Sequence, residues 1–208
     1  GKKNAVKLHY PMMSLSKITA DQEPKLDRWL STADKPLWIV MPKVDGASLE
    51  LTYEKGKPKR LVTRGGGLVG EDVSYFLPYL NIPAKIDRTE RTVFRCEAAI
   101  SKKEFEKWKG VFKSDRNVAS GLFNRQDVHA AIRDVSLVVL RIQSSDDLLS
   151  WQLGFAKRWG FTTIAFRRFK ELNSSYLSKL LKESRKTYGF NIDGLVIFRE
   201  DEGFAPSK

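Results

Sequence analysis

The sequence predicts one α+β domain in which mainly antiparallel sheets are flanked by helices. Segments with alternating apolar side chains are joined by short turns, which is typical of an antiparallel meander. Other segments have apolar residues three and four positions apart, together with helix start and stop signals. The 208 residues, 41% of them hydrophobic, can bury a real core, and no internal repeat or Pro/Gly-rich linker divides them.

The strand predictions rest on alternation and on turn residues. Six strands are predicted, at residues 37–43, 47–53, 60–64, 92–100, 135–142 and 193–198. A turn at 54–57 that contains Gly56 joins the second to the third and completes a hairpin. Alternation places Leu49 and Leu51 on one face of the second strand, and Arg95 and Glu97 on one face of the fourth.

The helix predictions rest on capping residues and apolar stripes. A capping box of Thr19 and Gln22 precedes a helix, and a second box of Ser101 and Glu104 begins a short one. Longer helices are predicted at about 146–159 and 175–188, each followed by a glycine that ends it.

The charge of the chain is strongly positive, with 37 Lys and Arg against 25 Asp and Glu and a net charge of +12. Such a surface favours a polyanionic partner, above all nucleic acid, although general solubility is an equally good explanation of charge alone. No apolar run approaches a membrane span, so no membrane association is expected. The single cysteine, Cys96, is predicted to be a core residue and indicates a reducing compartment such as the cytoplasm.

A glycine run at residues 63–74, TRGGGLVGEDVS, matches G-x-G-x-x-G at Gly65, Gly67 and Gly70. A dinucleotide-binding turn needs a parallel strand before it and a helix beginning in it. Here the preceding strand is the second arm of a hairpin, and two acidic residues follow directly. We therefore predict that the glycines form a turn with positive φ angles, without a nucleotide.

Lys43 stands at the end of a predicted strand and is followed by Asp45 and Gly46. Alone, this pattern predicts a solvated lysine before a chain-reversing turn. K-x-D-G in this setting also resembles the nucleophile motif of DNA ligases, RNA ligases and mRNA capping enzymes. Other segments in the same order resemble NAD-dependent DNA ligases, and these are HYPMMSLSK, TRGGGLVGEDVS, RCEAAIS, DRNVASG, RQD and IDGLVIF.

We therefore identify the whole chain, 1–208, as resembling the nucleotidyltransferase (adenylation) domain of that family, in a divergent form such as a phage or viral one. The resemblance implies an ATP-grasp-like fold around a nucleotide cleft. It also implies that the Lys43 amine attacks the α-phosphorus of NAD, with ATP a less favoured donor, and that Mg²⁺ assists. AMP then passes to the 5′-phosphate of nicked duplex DNA, in the cytoplasm or, for a phage, the host cytoplasm.

The resemblance assigns roles to further residues. Asp45 would orient Lys43 or the ribose; Arg64 and Glu97 would bind nucleotide, and Asp193 would place metal or phosphate. Arg116 and Arg125 would hold the phosphates of the nick. A free lysine amine is protonated at neutral pH, so burial or positive charge, for instance from Arg64, is expected to favour the neutral form. The residue pattern shows no dedicated set of metal ligands.

Two departures bear on activity. Met41 stands where the family has the glutamate that reads the adenine amino group, and Phe198 replaces a lysine that meets phosphate. These changes favour an alternative, a non-catalytic nucleic-acid-binding or subunit-assembly module with the same fold. The nicotinamide-binding module, OB-fold and zinc finger of the family are not recognised in the sequence, so a fragment or a second polypeptide with the missing ligase domains is a further expectation.

Overall fold

The computed structural model describes residues 4–32 and 37–200 and contains three sheets whose named strands all pair antiparallel. The strands are β1 (Ala5–Lys7), β2 (Trp38–Val44), β3 (Ala47–Glu54), β4 (Lys57–Thr63), β5 (Val69–Glu71), β6 (Thr92–Ile100), β7 (Val135–Ile142), β8 (Arg167–Phe169) and β9 (Ile192–Arg199). The α-helices are α1 (Glu23–Ser31), α2 (Lys102–Phe105), α3 (Asp115–Phe123), α4 (Leu149–Arg158) and α5 (Ser174–Thr187). The predicted α+β class is confirmed.

The largest sheet has the order β4-β3-β6-β7 and buries one of its faces. Leu49, Leu51 and Tyr53 of β3 are fully buried there, as the alternation predicts. The opposite face carries Ser48, Glu50 and the β6 residues paired with them, because adjacent strands keep their alternation in register. This sheet therefore has an apolar face toward the core and a second face rich in polar side chains.

The second sheet has the order β8-β2-β9, and its middle strand lies between two apolar clusters. Ile39 and Met41 belong to the main core, whereas Trp38 and Val40 pack with residues of α1 and α5. Burial on both sides fixes the register of β2 against its neighbours. The strand thus carries Lys43 to a defined position at its carboxyl end.

The helix predicted at 146–159 begins later than expected, at Leu149. The residues before it form a turn in which Asp147 donates its backbone N–H to the Ser145 hydroxyl at 3.2 Å. The buried Gln152 amide donates to the carbonyls of Ser145 and Asp147 at 3.2 and 2.6 Å. These local bonds satisfy the backbone in place of helical ones.

The glycine run contains the end of β4, a loop at residues 64–68 and all of β5, and no α-helix begins in it. Gly65 and Gly67 have φ angles of +50° and +94°. A Cβ at Gly70 would lie 1.6 Å from the carbonyl oxygen of Thr63, so only glycine fits there. A Cβ at Gly67 would lie 3.1 Å from the carbonyl oxygen of Met12. The predicted turn with positive φ angles is therefore confirmed for Gly65 and Gly67, whereas Gly70 lies in β5 and is required by its close approach to β4.

Candidate active site

Lys43 lies opposite Gly194 in the β2–β9 pair, and the register shifts just after it. Its Nζ is 2.7 Å from Oδ2 of Asp193, and the two side chains are 48% and 40% exposed. The structure differs here from the expectation that burial would favour the neutral amine. Lys43 is half exposed instead of buried, and its direct partner is a carboxylate, which is placed to accept a proton from Nζ.

Asp45 and Gly46 form the turn after Lys43, and this turn contacts β6. A Cβ at Gly46 would lie 2.1 Å from the carbonyl oxygen of Ala98, so a side chain would force the turn away from β6. Asp45 Oδ1 is 3.3 Å from Nε of Arg116, which is exposed in the first turn of α3. Burial raises the pKa of Asp45, and Arg116 opposes that shift. The structure therefore joins a predicted DNA-contacting arginine to the lysine motif.

Glu97 lies on β6 directly opposite Ser48 of β3. The Ser48 hydroxyl donates to Oε2 of Glu97 at 2.7 Å. Burial raises the pKa of Glu97, while Ser48, Lys43 and Arg95 act to lower it. Glu97 is thus a partly buried acceptor within electrostatic reach of Lys43 and Asp193.

Arg64 follows β4 and is held by the N-terminal segment. Its Nε donates to the carbonyl oxygen of Met12 at 2.7 Å, and its Nη2 donates to the Ser14 hydroxyl at 2.6 Å. Its backbone N–H donates to the carbonyl of Ser48 at 2.9 Å. Ser48 therefore links Arg64 to Glu97. The sequence motifs assign no role to Ser48, and only its predicted register opposite Glu97 could have indicated one. Ser14 lies in the recognised segment HYPMMSLSK.

Met41 and Phe198 lie on the paired strands β2 and β9, and both pack in the main core. Met41 is 3% exposed and, two residues before Lys43, shares its face of β2. Phe198 pairs with Ile39 and packs against the main core. Neither side chain supplies the carboxylate or the amine that the family pattern has at these positions.

Arg125 lies apart from this cluster, in the loop after α3. Its guanidinium makes two contacts with Asp127, at 3.0 Å to Oδ1 and 2.9 Å to Oδ2. Both side chains are largely exposed. The structure thus brings together Lys43, Asp45, Glu97, Asp193 and Arg116, with Arg64 beside them, but shows no contact between Arg125 and these residues.

Within residues 4–32 and 37–200, no group of three or more His, Cys, Asp or Glu side chains is arranged to hold a metal ion. In the same residues, no helix is long and apolar enough to cross a membrane. Cys96 is fully buried, as predicted, and burial raises the pKa of its thiol.

Comparisons with known proteins show which family the chain resembles. The chain is 34% identical over 204 residues to a DNA ligase of Acanthamoeba polyphaga mimivirus, which covers 95% of the chain and 31% of that protein. It is 30% identical over 200 residues to putative DNA ligase 205R of Invertebrate iridescent virus 6, covering 89% and 31%. The chain therefore spans about a third of the length of these relatives.

A solved structure named Pmar-Lig_Pre is similar in fold, with a TM-score of 0.53 at 11% identity over 82% of this chain and 40% of that one. The profile of the NAD-dependent DNA ligase adenylation domain matches residues 2–204. This match covers nearly the whole sequence, and the chain belongs to the NAD-dependent DNA ligase adenylation domain family.

Proposed function

We propose that this domain transfers AMP from NAD to the Lys43 amine and then to the 5′-phosphate of nicked duplex DNA. The observation that carries the proposal is the convergence of Lys43, Asp193 and Glu97 at the end of β2. Arg64 lies across β3 from Glu97. Asp193 takes the proton from Nζ as nitrogen attacks the α-phosphorus. A P–N bond forms, and nicotinamide mononucleotide leaves with the electrons of the broken P–O bond.

The other residues of the cluster fit an adenylate donor. Glu97 accepts from ribose hydroxyls, and the Arg64 guanidinium, held by Met12 and Ser14, contacts a phosphate. Mg²⁺ would enter with the substrate phosphates and offset their charge. The described residues offer no protein cage for a metal, so phosphate oxygens and water would supply most of its ligands.

The proposed nucleic-acid step rests on the positive charge and on Arg116 beside Asp45. Phosphate contacts by arginine would hold the nick near Lys43. Since the chain spans about a third of its relatives, sealing is proposed for the domain together with further ligase domains, in the same chain or on a second polypeptide. The cytoplasm, where the Cys96 thiol stays reduced, is the proposed location.

The test is covalent labelling of the chain with NAD carrying a radioactive adenylate, with labelled ATP in parallel. We expect an acid-labile label from NAD, absent in Lys43→Ala and retained in Lys59→Ala, which removes an exposed lysine from β4. Label that persists in Lys43→Ala, or a chain labelled by neither nucleotide at millimolar concentration, contradicts the proposal.

The second candidate function is a non-catalytic nucleic-acid-binding module. Two apolar residues favour it, because neither reads a base or a phosphate. They are Met41, two residues before Lys43 on β2, and Phe198, which pairs with Ile39. In that case the chain binds nicked DNA with equal affinity before and after Lys43→Ala and takes up no label. A covalent label on Lys43 excludes this candidate.

A further inference from the structure

Glu50 is a fully buried carboxylate outside the cluster of Lys43, Asp193 and Glu97. Its Oε1 accepts from the backbone N–H of His9 at 3.0 Å and from Nη1 of Arg60 at 3.2 Å. Its Oε2 accepts from the backbone N–H of Tyr10 at 3.0 Å. A buried charge is costly unless it is paired and hydrogen-bonded, and here both oxygens have donors.

The donors to Glu50 show that it holds the N-terminal segment against the large sheet. His9 and Tyr10 belong to segment 7–14, which lies across the polar face of the large sheet. Arg60 completes the attachment, since its Nη2 donates to the carbonyl of Lys7 at 2.6 Å. Leu8 and Met12 of the segment are buried against Val62. Glu50 and Arg60 therefore fix segment 7–14 through its backbone.

The far end of segment 7–14 contacts Arg64. Met12 donates its N–H to the carbonyl of Gly67 at 2.8 Å, and its own carbonyl accepts from Arg64 Nε. Ser14 accepts from Nη2 of the same guanidinium. The orientation of the Arg64 side chain thus depends on a segment whose other end is held by Glu50.

We infer that Glu50 is a positioning residue for nucleotide binding, which acts through segment 7–14 on the guanidinium of Arg64. The inference rests on the proposed function, because Arg64 is the residue that would contact the nucleotide. The carboxylate does not touch substrate. It holds the backbone of His9 and Tyr10 so that the Met12 carbonyl and the Ser14 hydroxyl present two acceptors to Arg64.

The test compares Glu50→Gln with Glu54→Gln. Both residues lie on β3 and both pair with an arginine, but the ion pair of Glu54 with Arg91 is at the surface. An amide at position 50 keeps the shape and loses the charge, so it cannot accept from all three donors. We expect Glu50→Gln to raise the KM for NAD in the labelling reaction about tenfold, with the maximal rate within about twofold. Glu54→Gln is expected to leave both unchanged.

Two further readouts separate positioning from general stability. Amide hydrogen exchange at His9 and Tyr10 should accelerate in Glu50→Gln and not in Glu54→Gln. In an Arg64→Ala background, Glu50→Gln should add less than about twofold to KM, because residues that act through one another are not additive. Full additivity overturns the inference.

The outcomes distinguish this inference from the proposed function. A wild-type chain that neither labels with NAD nor binds it overturns both. A wild-type chain that labels, with equal KM in Glu50→Gln and Glu54→Gln, overturns the inference alone. If Glu50→Gln does not fold, Ser14→Ala removes the hydroxyl contact of Arg64 instead. We then expect a rise of about threefold in KM, and an unchanged value overturns the inference.

Discussion

Glu50 and Glu97 lie on the same face of the large sheet, in neighbouring strands. They are two pairs apart in register, since Glu50 faces Arg95 and Ser48 faces Glu97. Glu50 is fully buried and accepts from two backbone N–H groups and an arginine. Glu97 accepts from the Ser48 hydroxyl and interacts with Lys43 and Asp193. The same side chain on the same face therefore serves the fold in one place and is available to a ligand in the other.

The difference extends to the regions around each residue. Around Glu50, backbone groups of segment 7–14 and the glycine run satisfy one another, and Leu8, Met12 and Val62 exclude water. Around Glu97, the partners are side chains that are half exposed, such as Lys43 and Asp193. Fixed backbone partners indicate a structural role, whereas exposed charged side chains can be replaced as partners by substrate.

The largest expected effect is that substitution of Glu50 lowers stability, whereas substitution of Glu97 lowers labelling. Glu50→Ala leaves Arg60 and two amides without their acceptor, so we expect the free energy of unfolding to fall by about 3 kcal/mol or more. Glu97→Gln should change it by less than about 1 kcal/mol while it lowers labelling by about tenfold or more. Urea denaturation and the labelling assay measure the two quantities. A Glu97→Gln chain that unfolds as readily as Glu50→Ala contradicts the assignment.

A smaller effect on the structural side is expected at the glycine run. Gly70→Ala places a Cβ 1.6 Å from the Thr63 carbonyl oxygen, so we expect a loss of about 2 kcal/mol or more in stability. Gly66 lies in the same run, and a Cβ added there would have no neighbouring atom within 4 Å. Gly66→Ala should therefore stay within about 0.5 kcal/mol of wild type. Equal thermal shifts in the two variants would show that Gly70 is not packed against β4.

Much of the fold could be predicted because long strands carry their own alternation. The face of β3 with Leu49 and Leu51, and the hairpin with β4, follow from local sequence. The three-residue strands β1, β5 and β8 are too short to show a period, and only tertiary pairing defines them. The helix α3 is absent from the predicted elements, because its residues match a ligase motif and are considered for function alone. Its start could have been predicted, since Ser114 is an N-cap residue.

The site could be predicted in part. Motif order selected Lys43, Asp45, Glu97 and Asp193 as candidates, and the structure places them near one another. The role of Glu50 could not be seen, because alternation places it opposite the core and thereby predicts exposure. The segment that buries it contributes His9, which lies 41 residues away in sequence. Partners at that separation are set by packing and leave no local pattern.

Acidity offers a finer test of Glu97, the glutamate proposed to bind nucleotide. Burial raises the pKa of Glu97 above its ordinary 4.5, so the side chain gains its proton at a higher pH than an exposed glutamate. Below that pKa it no longer accepts from two hydroxyls as a carboxylate. We expect NAD affinity to fall with decreasing pH in an acid limb that lies above pH 4.5. The limb should be absent in Glu97→Gln and present in Glu54→Gln; its persistence in Glu97→Gln assigns the titration elsewhere.

The smallest expected effect is a difference between two exposed arginines that lie near opposite ends of β3. Arg116 lies beside Asp45 near its start, and Arg91 pairs with Glu54 at its end. Each phosphate contact contributes about −0.9 to the slope of log K against log salt. Arg116→Ala should therefore make the slope for nicked duplex DNA less steep by about 1, whereas Arg91→Ala should leave it unchanged. Equal changes in both would mean that DNA is held by diffuse positive charge, and Arg116 would then have no special place at the nick. If the salt slope changes in Arg116→Ala alone, the DNA backbone lies near the start of β3. This end is on the side of Lys43 and Glu97 and away from the buried carboxylate of Glu50.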